Sequence, residues 1–282
     1  AEYVVLELSS HQLADLTLSP EIAVVLAITP EHLDYYDSFE EYFEAKTAIT
    51  KFQKPSDKVF YQVEETRSAE KLAQLSAGEK IGFGVNEKAG SEENGALFGK
   101  VSEGWFVVDG VKVLQTNELK LVGKHNWINV LPSLCVTENL GLDVGRAADA
   151  ARHFPGLPHR LQFAAEKNNI RFYNDSLATT PEAASAAIAS FSDESVILIA
   201  GGYDRNLKFD SLAQTILEKR VKSLILFPDT GTKILETLQK QSPDKIPPHT
   251  QVQTMQEAIT AATSQAQPGD VVLLSPAAAS FN

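Results

Sequence analysis

The 282-residue sequence contains a single cysteine, Cys135, so no disulfide can form within the chain. We expect this cysteine to be a free, buried thiol, because it lies in an apolar helical stretch. No segment resembles a signal peptide, and no run approaches the roughly 20 apolar residues of a transmembrane helix. The sequence therefore predicts a soluble globular protein of the reducing cytoplasm, with no membrane insertion.

Positive charge is also scarce, since 25 Lys and Arg residues stand against 37 Asp and Glu residues, for a net charge of −12. This balance excludes a broad nucleic-acid surface, which needs clustered basic residues. It does not exclude a phosphate ligand, because a few backbone N–H groups, one arginine and a metal ion can bind one.

Apolar runs mark the strands of the first half. Val4–Leu8, interrupted only by Glu7, and Ile22–Ile28 are apolar runs, as expected of strands buried on both faces. The chain begins at Ala1 rather than Met, immediately before the first of these strands. We therefore expect that a preceding segment has been lost.

The remaining elements of the first half follow from helical periodicity, caps and turn residues. Strands are predicted at 58–62 and 80–83, a hairpin at 105–114, and helices at 38–52, 68–75, 125–140 and 144–153. The segment Phe154–Pro158 contains two prolines and a glycine, which predicts a hinge. The predicted domains are therefore residues 1–154 and residues 155–282, in line with about 100–200 residues per domain.

The second half alternates strands and helices. Strands are predicted at 161–165, 170–173, 196–200, 223–227, 251–253 and 271–275, with helices beginning near 181, 209, 232 and 256. This order is typical of a parallel α/β sheet. Ligands of such sheets bind at the carboxyl ends of the strands, where Gly201–Arg205 and Ser275–Ser280 lie.

Two residues of the first half could bind a metal ion. Glu7 closes a predicted strand, so it is either a Mg²⁺ ligand or a solvated carboxylate at the rim. His32 follows the next predicted strand, and it is either a ligand or a structural histidine.

Lys46 falls on an apolar helical stripe with Phe39, Tyr42, Phe43 and Ile49. Its amine either extends outward to water or lies desolvated, with a pKa below that of a free lysine. A neutral amine is nucleophilic and could react with CO₂ to form a carbamate.

Seven ordered motifs resemble the Mur ligases, the ATP-dependent amino-acid ligases of cell-wall synthesis. In chain order they are E-L-S-S-x-Q-L at 7–13, T-P-x-H-L-D at 29–34, A-K at 45–46, G-K-H-N-W-I-N at 123–129, G-L-P-H-R at 156–160, N-D-S-x-A-T at 174–179 and L-L-S-P-A-x-A-S at 273–280. The set is most similar to the member that adds glutamate to UDP-N-acetylmuramoyl-L-alanine. The resemblance implies a central P-loop-type ATPase domain, followed by a Rossmann-like C-terminal α/β domain.

The resemblance also implies ATP and Mg²⁺ as cofactors, with glutamate and UDP-N-acetylmuramoyl-L-alanine as substrates of a monomeric enzyme. Glu7, His32 and Lys46 would bind Mg²⁺, and Lys46 would be carbamylated. The other implied contacts are Ser9, Ser10 and Gln12 for the nucleotide-sugar substrate; Asn126, Asn129, Arg160 and Asp175 for the nucleotide; and Thr179, Arg205 and Ser280 for the amino acid. Two alternatives stay open, because Ser9 and Ser10 could cap a turn and Asn126 could cap a helix.

The sequence departs from the family pattern at several points. The glycine-rich loop ending in G-K-S/T, which cradles ATP phosphates, is absent from these residues. Leu177 stands where glutamate-adding members often have lysine, and Arg205 stands where lysine is common. The D-S-L-A-T-T-P and G-G-Y-D-R sequences also resemble a subgroup that uses L-glutamate, and the chain stops before the family's last helix.

Three hypotheses follow: a glutamate-adding cell-wall ligase, a related folate polyglutamate ligase, or a non-catalytic nucleotide-binding module. L-P-H-R and N-D-S-x-A-T favour the first over the second. The missing phosphate loop and Leu177 favour the third hypothesis. Glu7, His32 and Lys46 oppose it. We expect the 282-residue chain alone to be inactive.

Overall fold

A computed structural model describes residues 2–28, 35–63, 67–85, 97–191, 194–219 and 221–280. The chain forms two compact units, the first comprising Ala1–Leu119 and Asn126–His153, the second Lys120–His125 and Phe154–Asn282. The boundary between residues 154 and 155 stays a prediction. None of the helices in the described ranges is both long and apolar enough to span a membrane.

The first unit contains a six-stranded sheet with the order β1-β2-β3-β4-β5-β6. Its strands are β1 (Ile22–Val25), β2 (Lys58–Gln62), β3 (Glu79–Gly84), β4 (Gly99–Ser102), β5 (Trp105–Val108) and β6 (Val111–Gln115). Neighbouring strands from β1 to β4 pair parallel, whereas β5 pairs antiparallel with both β4 and β6. The predicted hairpin is confirmed, with Asp109 and Gly110 at φ 46° and 78° in its turn. The short strand β4 was not predicted.

The helices of the first unit are α1 (Ser10–Leu13), α2 (Phe39–Lys46), α3 (Ser68–Ala73), α4 (His125–Asn139) and α5 (Val144–His153). The Ser38 hydroxyl caps α2 by accepting the Glu41 N–H at 3.1 Å, as its capping sequence predicts. The α-helical part ends at Lys46 rather than near Phe52. A 3₁₀ turn over Thr47–Ile49 follows it.

The prediction of a buried strand at Val4–Leu8 is wrong for this structure. The segment has no strand conformation, and Val5 is 95% exposed. A strand obtains its hydrogen bonds from a neighbouring strand, and none of the described strands pairs with this segment. Apolar composition alone therefore does not place it in the core.

Cys135 is a free thiol buried in α4, as the sequence predicts. A Cβ atom built on Gly99 in β4 would lie 2.2 Å from the Cys135 sulfur, so the sheet and the helix pack closely here. Burial raises the pKa of the Cys135 thiol to about 12.

We therefore expect Cys135 to resist a thiol reagent until the first unit unfolds. With a pKa of about 12, about one thiol in ten thousand is ionised at pH 8. Both tryptophans, Trp105 and Trp127, belong to the same unit and report its unfolding by fluorescence. Labelling and the loss of the fluorescence signal should coincide on a urea series. Fast labelling without urea would contradict this prediction.

The second unit contains a six-stranded sheet with the order β11-β10-β9-β12-β8-β7. Its strands are β7 (Gln162–Lys167), β8 (Ile170–Asn174), β9 (Val196–Gly202), β10 (Ser223–Asp229), β11 (His249–Gln251) and β12 (Val271–Leu274). All neighbours pair parallel except β7 and β8. The parallel α/β sheet that the alternating pattern predicts is confirmed.

Helices cover both faces of this second sheet. They are α6 (Pro181–Ala189), α7 (Asp210–Glu218), α8 (Thr230–Gln241) and α9 (Met255–Gln265). In β9, Val196, Leu198 and Ala200 enter the core under α6, α7 and α8. Ile197 and Ile199 enter the core under α9. A strand buried on both faces needs an uninterrupted apolar sequence, which explains the continuous run.

Candidate active site

The candidate active site of the second unit lies at the carboxyl ends of three adjacent strands. In the sheet, β12 lies between β9 and β8. The strand β9 continues into Tyr203–Arg205, β12 into Ser275–Ser280, and β8 into Asp175–Thr179. Three sequence motifs that are far apart in the chain therefore meet at one edge, which is where open parallel sheets bind ligands.

Backbone hydrogen bonds connect the three loops. The Ala277 N–H donates to the Ala178 carbonyl at 2.9 Å, and the Tyr203 N–H donates to the Ala279 carbonyl at 2.9 Å. The Gly201 N–H donates to the Pro276 carbonyl at 2.9 Å. The loop after β12 is thus fixed on both sides, which holds the neighbouring loops in a defined arrangement.

The two glycines at the end of β9 permit this close packing. Gly201 has φ +113°, and a Cβ on it would lie 2.7 Å from the Phe227 carbonyl oxygen. A Cβ on Gly202 would lie 2.4 Å from the Ala279 carbonyl oxygen. Neither position has room for a side chain, so the glycine pair is a packing requirement of the edge.

The three residues predicted to bind the amino acid all lie on the connected loops. Thr179 directly follows the bonded Ala178, Ser280 follows the bonded Ala279, and Arg205 lies two residues beyond Tyr203. All three are exposed. The edge therefore presents one guanidinium and two hydroxyl groups to solvent, a set suited to a ligand with carboxylate groups.

Asp175 lies beneath this edge and is only 7% exposed. One carboxylate oxygen accepts the Leu161 N–H at 3.0 Å, and the other accepts the Ser275 hydroxyl at 2.8 Å. Burial raises the pKa of Asp175, while the two hydrogen bonds and the positive charge of Arg160 oppose the shift. Both oxygens thus connect the start of the second unit to the loop after β12, and a nucleotide contact through Asp175 stays a prediction.

Two substitutions of Asp175 should distinguish the contribution of its hydrogen bonds to the free energy of unfolding from the contribution of its charge. Asp175→Ala leaves the Leu161 N–H and the Ser275 hydroxyl without their acceptor, at a cost of about 1–3 kcal/mol in unfolding free energy. Asp175→Asn can accept the N–H and donate to the hydroxyl, so its cost should be smaller. Urea unfolding and hydrogen exchange of the Leu161 amide measure both effects.

The pH dependence of the same comparison has a defined sign. Because the pKa of Asp175 is raised by folding, its contribution is fully present below the unfolded-state pKa and is lost as pH rises through the folded-state pKa. The free energy of unfolding of wild type should therefore fall relative to that of Asp175→Asn as pH rises from the unfolded-state pKa of Asp175 to its folded-state pKa. A constant difference across that window would contradict this expectation.

The loop before β7 carries Arg160, which is exposed and lies close enough to Asp175 to lower its pKa. The adjacent His159 ring hydrogen-bonds the Asn174 side chain at 3.0 Å. Leu177, which stands where the related ligases often have lysine, is 53% exposed and its N–H donates to the His159 carbonyl at 3.1 Å. The G-L-P-H-R and N-D-S-x-A-T motifs therefore form one structural group.

In the first unit, the Lys46 Nζ lies 5.0 Å from the centroid of the Tyr42 ring. Lys46 is half-buried at the end of α2, and Tyr42 is buried one turn earlier. Phe39, Phe43 and Ile49 pack against the same core cluster as Tyr42, so the predicted apolar stripe is confirmed. Lys46 is neither fully solvated nor fully desolvated. Carbamylation of Lys46 stays a prediction.

The predicted substrate residues Ser9 and Gln12 cap each other's backbone at the start of α1. The Ser9 hydroxyl accepts the Gln12 N–H at 3.3 Å, and the Gln12 carbonyl oxygen accepts the Ser9 N–H at 2.9 Å. Ser10 is buried, and Glu7 is exposed. Of the two alternatives, the structure shows the cap for Ser9, while substrate contacts of these residues stay predictions.

Of the three predicted metal ligands, the structure describes Glu7 and Lys46. His32 lies outside the described residues, so its relation to Glu7 and Lys46 is not defined. Within the described ranges, no group of three or more His, Cys, Asp and Glu side chains could hold a metal ion. The assignment of Glu7, His32 and Lys46 to Mg²⁺ therefore stays a prediction.

The predicted adenine-side residues lie on one face of α4. Asn126 is the second residue of that helix rather than its cap. Its side-chain oxygen accepts a hydrogen bond from the side-chain NH₂ group of Asn129 at 3.2 Å. Asn126 is half-buried and Asn129 is exposed. The cap alternative is therefore wrong, and nucleotide binding stays a prediction.

Sequence reasoning missed the residues that support the edge from α8, Thr230 and Lys233. The Thr230 hydroxyl accepts the Gly202 N–H at 2.8 Å, and Lys233 pairs with Asp204. The predicted start of this helix, near Thr232, left Thr230 in a loop. The spacing of a hydroxyl and a lysine three residues apart was the available signal.

Two family comparisons cover nearly the whole chain. The Mur ligase middle domain matches residues 1–137, and the Mur ligase glutamate ligase domain matches residues 159–278. The chain belongs to the Mur ligase family. The order of the two domains agrees with the two sheets of the structure, and the recognition of a Mur ligase from its motifs is confirmed.

Relatives of this Mur ligase chain include two clostridial proteins named UDP-N-acetylmuramoylalanine–D-glutamate ligase. The protein of Clostridium botulinum strain Loch Maree is 36% identical over 99% of this chain and 59% of its own length. The protein of Clostridium tetani is 37% identical over 99% of this chain and 59% of its own length. The chain thus spans somewhat less than two thirds of these relatives.

Solved Mur ligases show the same fold. UDP-N-acetylmuramate–alanine ligase of Thermotoga maritima aligns with a TM-score of 0.65 at 19% identity, covering 92% of this chain and 56% of that protein. The MurF ligase of Thermotoga maritima in complex with ADP also has a TM-score of 0.65, at 17% identity, covering 92% and 58%. The predicted α/β fold class is confirmed.

Proposed function

We propose that the full-length protein carrying this chain is an ATP-dependent ligase that joins glutamate to UDP-N-acetylmuramoyl-L-alanine in peptidoglycan precursor synthesis. The observation that carries the proposal is the connected edge of the second unit, where Thr179, Arg205 and Ser280 lie on three hydrogen-bonded loops. The names of the clostridial relatives favour D-glutamate as the amino acid.

The proposed reaction forms one amide bond at the expense of one ATP. An oxygen of the L-alanine carboxylate attacks the γ-phosphorus, giving an acyl phosphate and releasing ADP. The glutamate amine then attacks the acyl carbon, loses a proton and expels phosphate. For the second step the enzyme has to hold the glutamate carboxylates away from the reacting amine, and Arg205 with its neighbouring hydroxyls supplies that orientation.

Glu7, His32 and Lys46 are the proposed Mg²⁺ ligands of the first unit. Glu7 offers an exposed carboxylate, the oxygen type that Mg²⁺ prefers. An unmodified Lys46 carries a positive charge and does not suit the ion, whereas a carbamate at Nζ would supply anionic oxygens. Bound Mg²⁺ would screen the negative charges of phosphate and carboxylate oxygens.

Carbamylation of Lys46 can be tested without turnover. Isotopically labelled bicarbonate should give a carbamate carbon signal in the NMR spectrum of the full-length protein. Lys46→Gln should remove that signal, whereas Lys51→Gln, on an exposed lysine of the same segment, should retain it. A wild-type spectrum without the signal would contradict the assignment.

The function is tested with the full-length gene product, ATP, Mg²⁺ and UDP-N-acetylmuramoyl-L-alanine. Phosphate release and product mass are followed with D-glutamate, with L-glutamate and with neither, and the 282-residue chain alone is measured in parallel. Release that depends on D-glutamate is the expected result, and release with L-glutamate only would reassign the enantiomer. No release with either, from a folded protein that still binds the nucleotide sugar, would favour a non-catalytic module.

A further inference from the structure

Asp204 is held from two sides at the candidate edge. Its carboxylate accepts the Lys233 ammonium in an ion pair and accepts the Asn206 N–H at 2.9 Å. The ion pair lowers the pKa of Asp204, mainly through the hydrogen bond from Lys233. Asp204 is therefore an anion at neutral pH, and it directly precedes the exposed Arg205.

A second contact fixes the same loop from the same helix. The buried Thr230 hydroxyl accepts the Gly202 N–H at 2.8 Å and donates to the Gly202 carbonyl at 3.0 Å. Thr230 and Lys233 are three residues apart on α8, so they lie on one face of that helix. The helix thus contacts the loop on both sides of Tyr203.

Lys233 pairs with the one carboxylate that directly precedes Arg205 in the sequence. Arg205 can bind a glutamate carboxylate only if its guanidinium is not already paired with a carboxylate of the protein. Asp204 is the nearest such group in sequence, and without Lys233 its charge would be available to the adjacent arginine. With Lys233 in place, Asp204 is occupied on the α8 side of the loop.

We propose that Lys233 is a positioning residue for the amino-acid site, because it pairs with Asp204 and so keeps Arg205 available to a substrate carboxylate. Thr230 fixes the strand end from which this loop begins. The inference rests on the proposed function, since it assigns Arg205 to the amino acid.

The test compares a single and a double variant of the full-length protein with wild type, measured by glutamate-dependent phosphate release. Lys233→Met should raise the KM for glutamate about tenfold, the size expected when a hydrogen bond to a charged group is weakened. The kcat and the KM for ATP should change little. Lys233→Arg should keep the wild-type KM, and Lys240→Met, exposed near the end of the same helix, is the matched control.

The deciding variant removes the competing carboxylate. Asp204→Asn in the Lys233→Met background should lower the KM for glutamate again, because Arg205 then has no neighbouring anion to pair with. A purely structural ion pair predicts no such recovery. A double variant with a KM as high as that of Lys233→Met, or equal losses in kcat and in the KM for ATP, would overturn the proposal.

Failure of the proposed function is distinguishable from failure of this inference. Wild type without glutamate-dependent release would contradict the function, and hydrogen exchange of peptides spanning residues 202–208 then decides the positioning role. The Asn206 N–H donates a hydrogen bond to Asp204. Lys233→Met should therefore speed hydrogen exchange of this amide relative to wild type and to Lys240→Met. Unchanged exchange there would overturn it.

Discussion

In the full-length protein with the proposed function, Arg205→Ala should lower kcat/KM for glutamate by roughly a hundredfold or more while leaving the fold intact. A bidentate, charge-assisted pair between guanidinium and carboxylate contributes about 3 kcal/mol, and alanine removes it entirely. Arg205 is exposed and makes none of the ion pairs found among the described residues, so folding does not depend on it. The loss should appear chiefly in the KM for glutamate, because the arginine holds the substrate before the reaction as well as during it.

Two control variants make this result interpretable. Lys208→Ala removes an exposed positive charge from the same loop, so it tests whether general electrostatic attraction explains the loss. Arg205→Lys keeps a cation of different geometry and should recover part of the activity. Equal losses for Arg205→Ala and Lys208→Ala would show that Arg205 has no specific role.

Gly202→Ala should destabilise the second unit and disrupt the proposed amino-acid site together. The new Cβ would lie 2.4 Å from the Ala279 carbonyl oxygen, so the loop after β12 would have to move. That movement strains the bond from the Tyr203 N–H to the same carbonyl and displaces Ser280. Overpacking of this kind costs about 1–3 kcal/mol in unfolding free energy.

Gly145→Ala is the appropriate control for this substitution. Gly145 is exposed in the first turn of α5, where a Cβ would come within 4 Å of only one atom, the Asp143 carboxylate oxygen at 3.1 Å. Because Asp143 is an exposed side chain that can move, the variant should stay close to wild-type stability, with unchanged glutamate kinetics. Urea unfolding followed by circular dichroism, together with the KM for glutamate, distinguishes the two variants. A Gly202→Ala protein with wild-type stability and KM would refute the packing explanation.

Much of the fold follows from short-range sequence signals. The Asp109-Gly110 turn, the Ser38 cap and the alternating segments after residue 160 each depend on neighbours a few residues away, and each predicts its element correctly. Element ends were less predictable, because α2 ends at Lys46 in a 3₁₀ turn and α8 begins at Thr230.

Val4–Leu8 shows where such signals fail. An apolar run indicates that a segment would gain stability from burial. It does not show whether a neighbouring strand is present to pair with that segment and bury it. In the structure the segment is exposed and outside the first sheet. A prediction of burial therefore depends on partners that the run itself does not contain.

The sequence by itself determined the family, the α/β class and the residue types of the candidate site, because motifs and periodicity are local properties of the chain. The resemblance grouped Thr179, Arg205 and Ser280 as amino-acid contacts, whereas only the tertiary structure shows the strand order that brings their loops together. The strand β12, last in the described chain, inserts between β8 and β9. That insertion brings Thr179, Arg205 and Ser280 to one edge, and it places Asp175 under Ser275. Strand order depends on long-range pairing, so no local pattern could have given it.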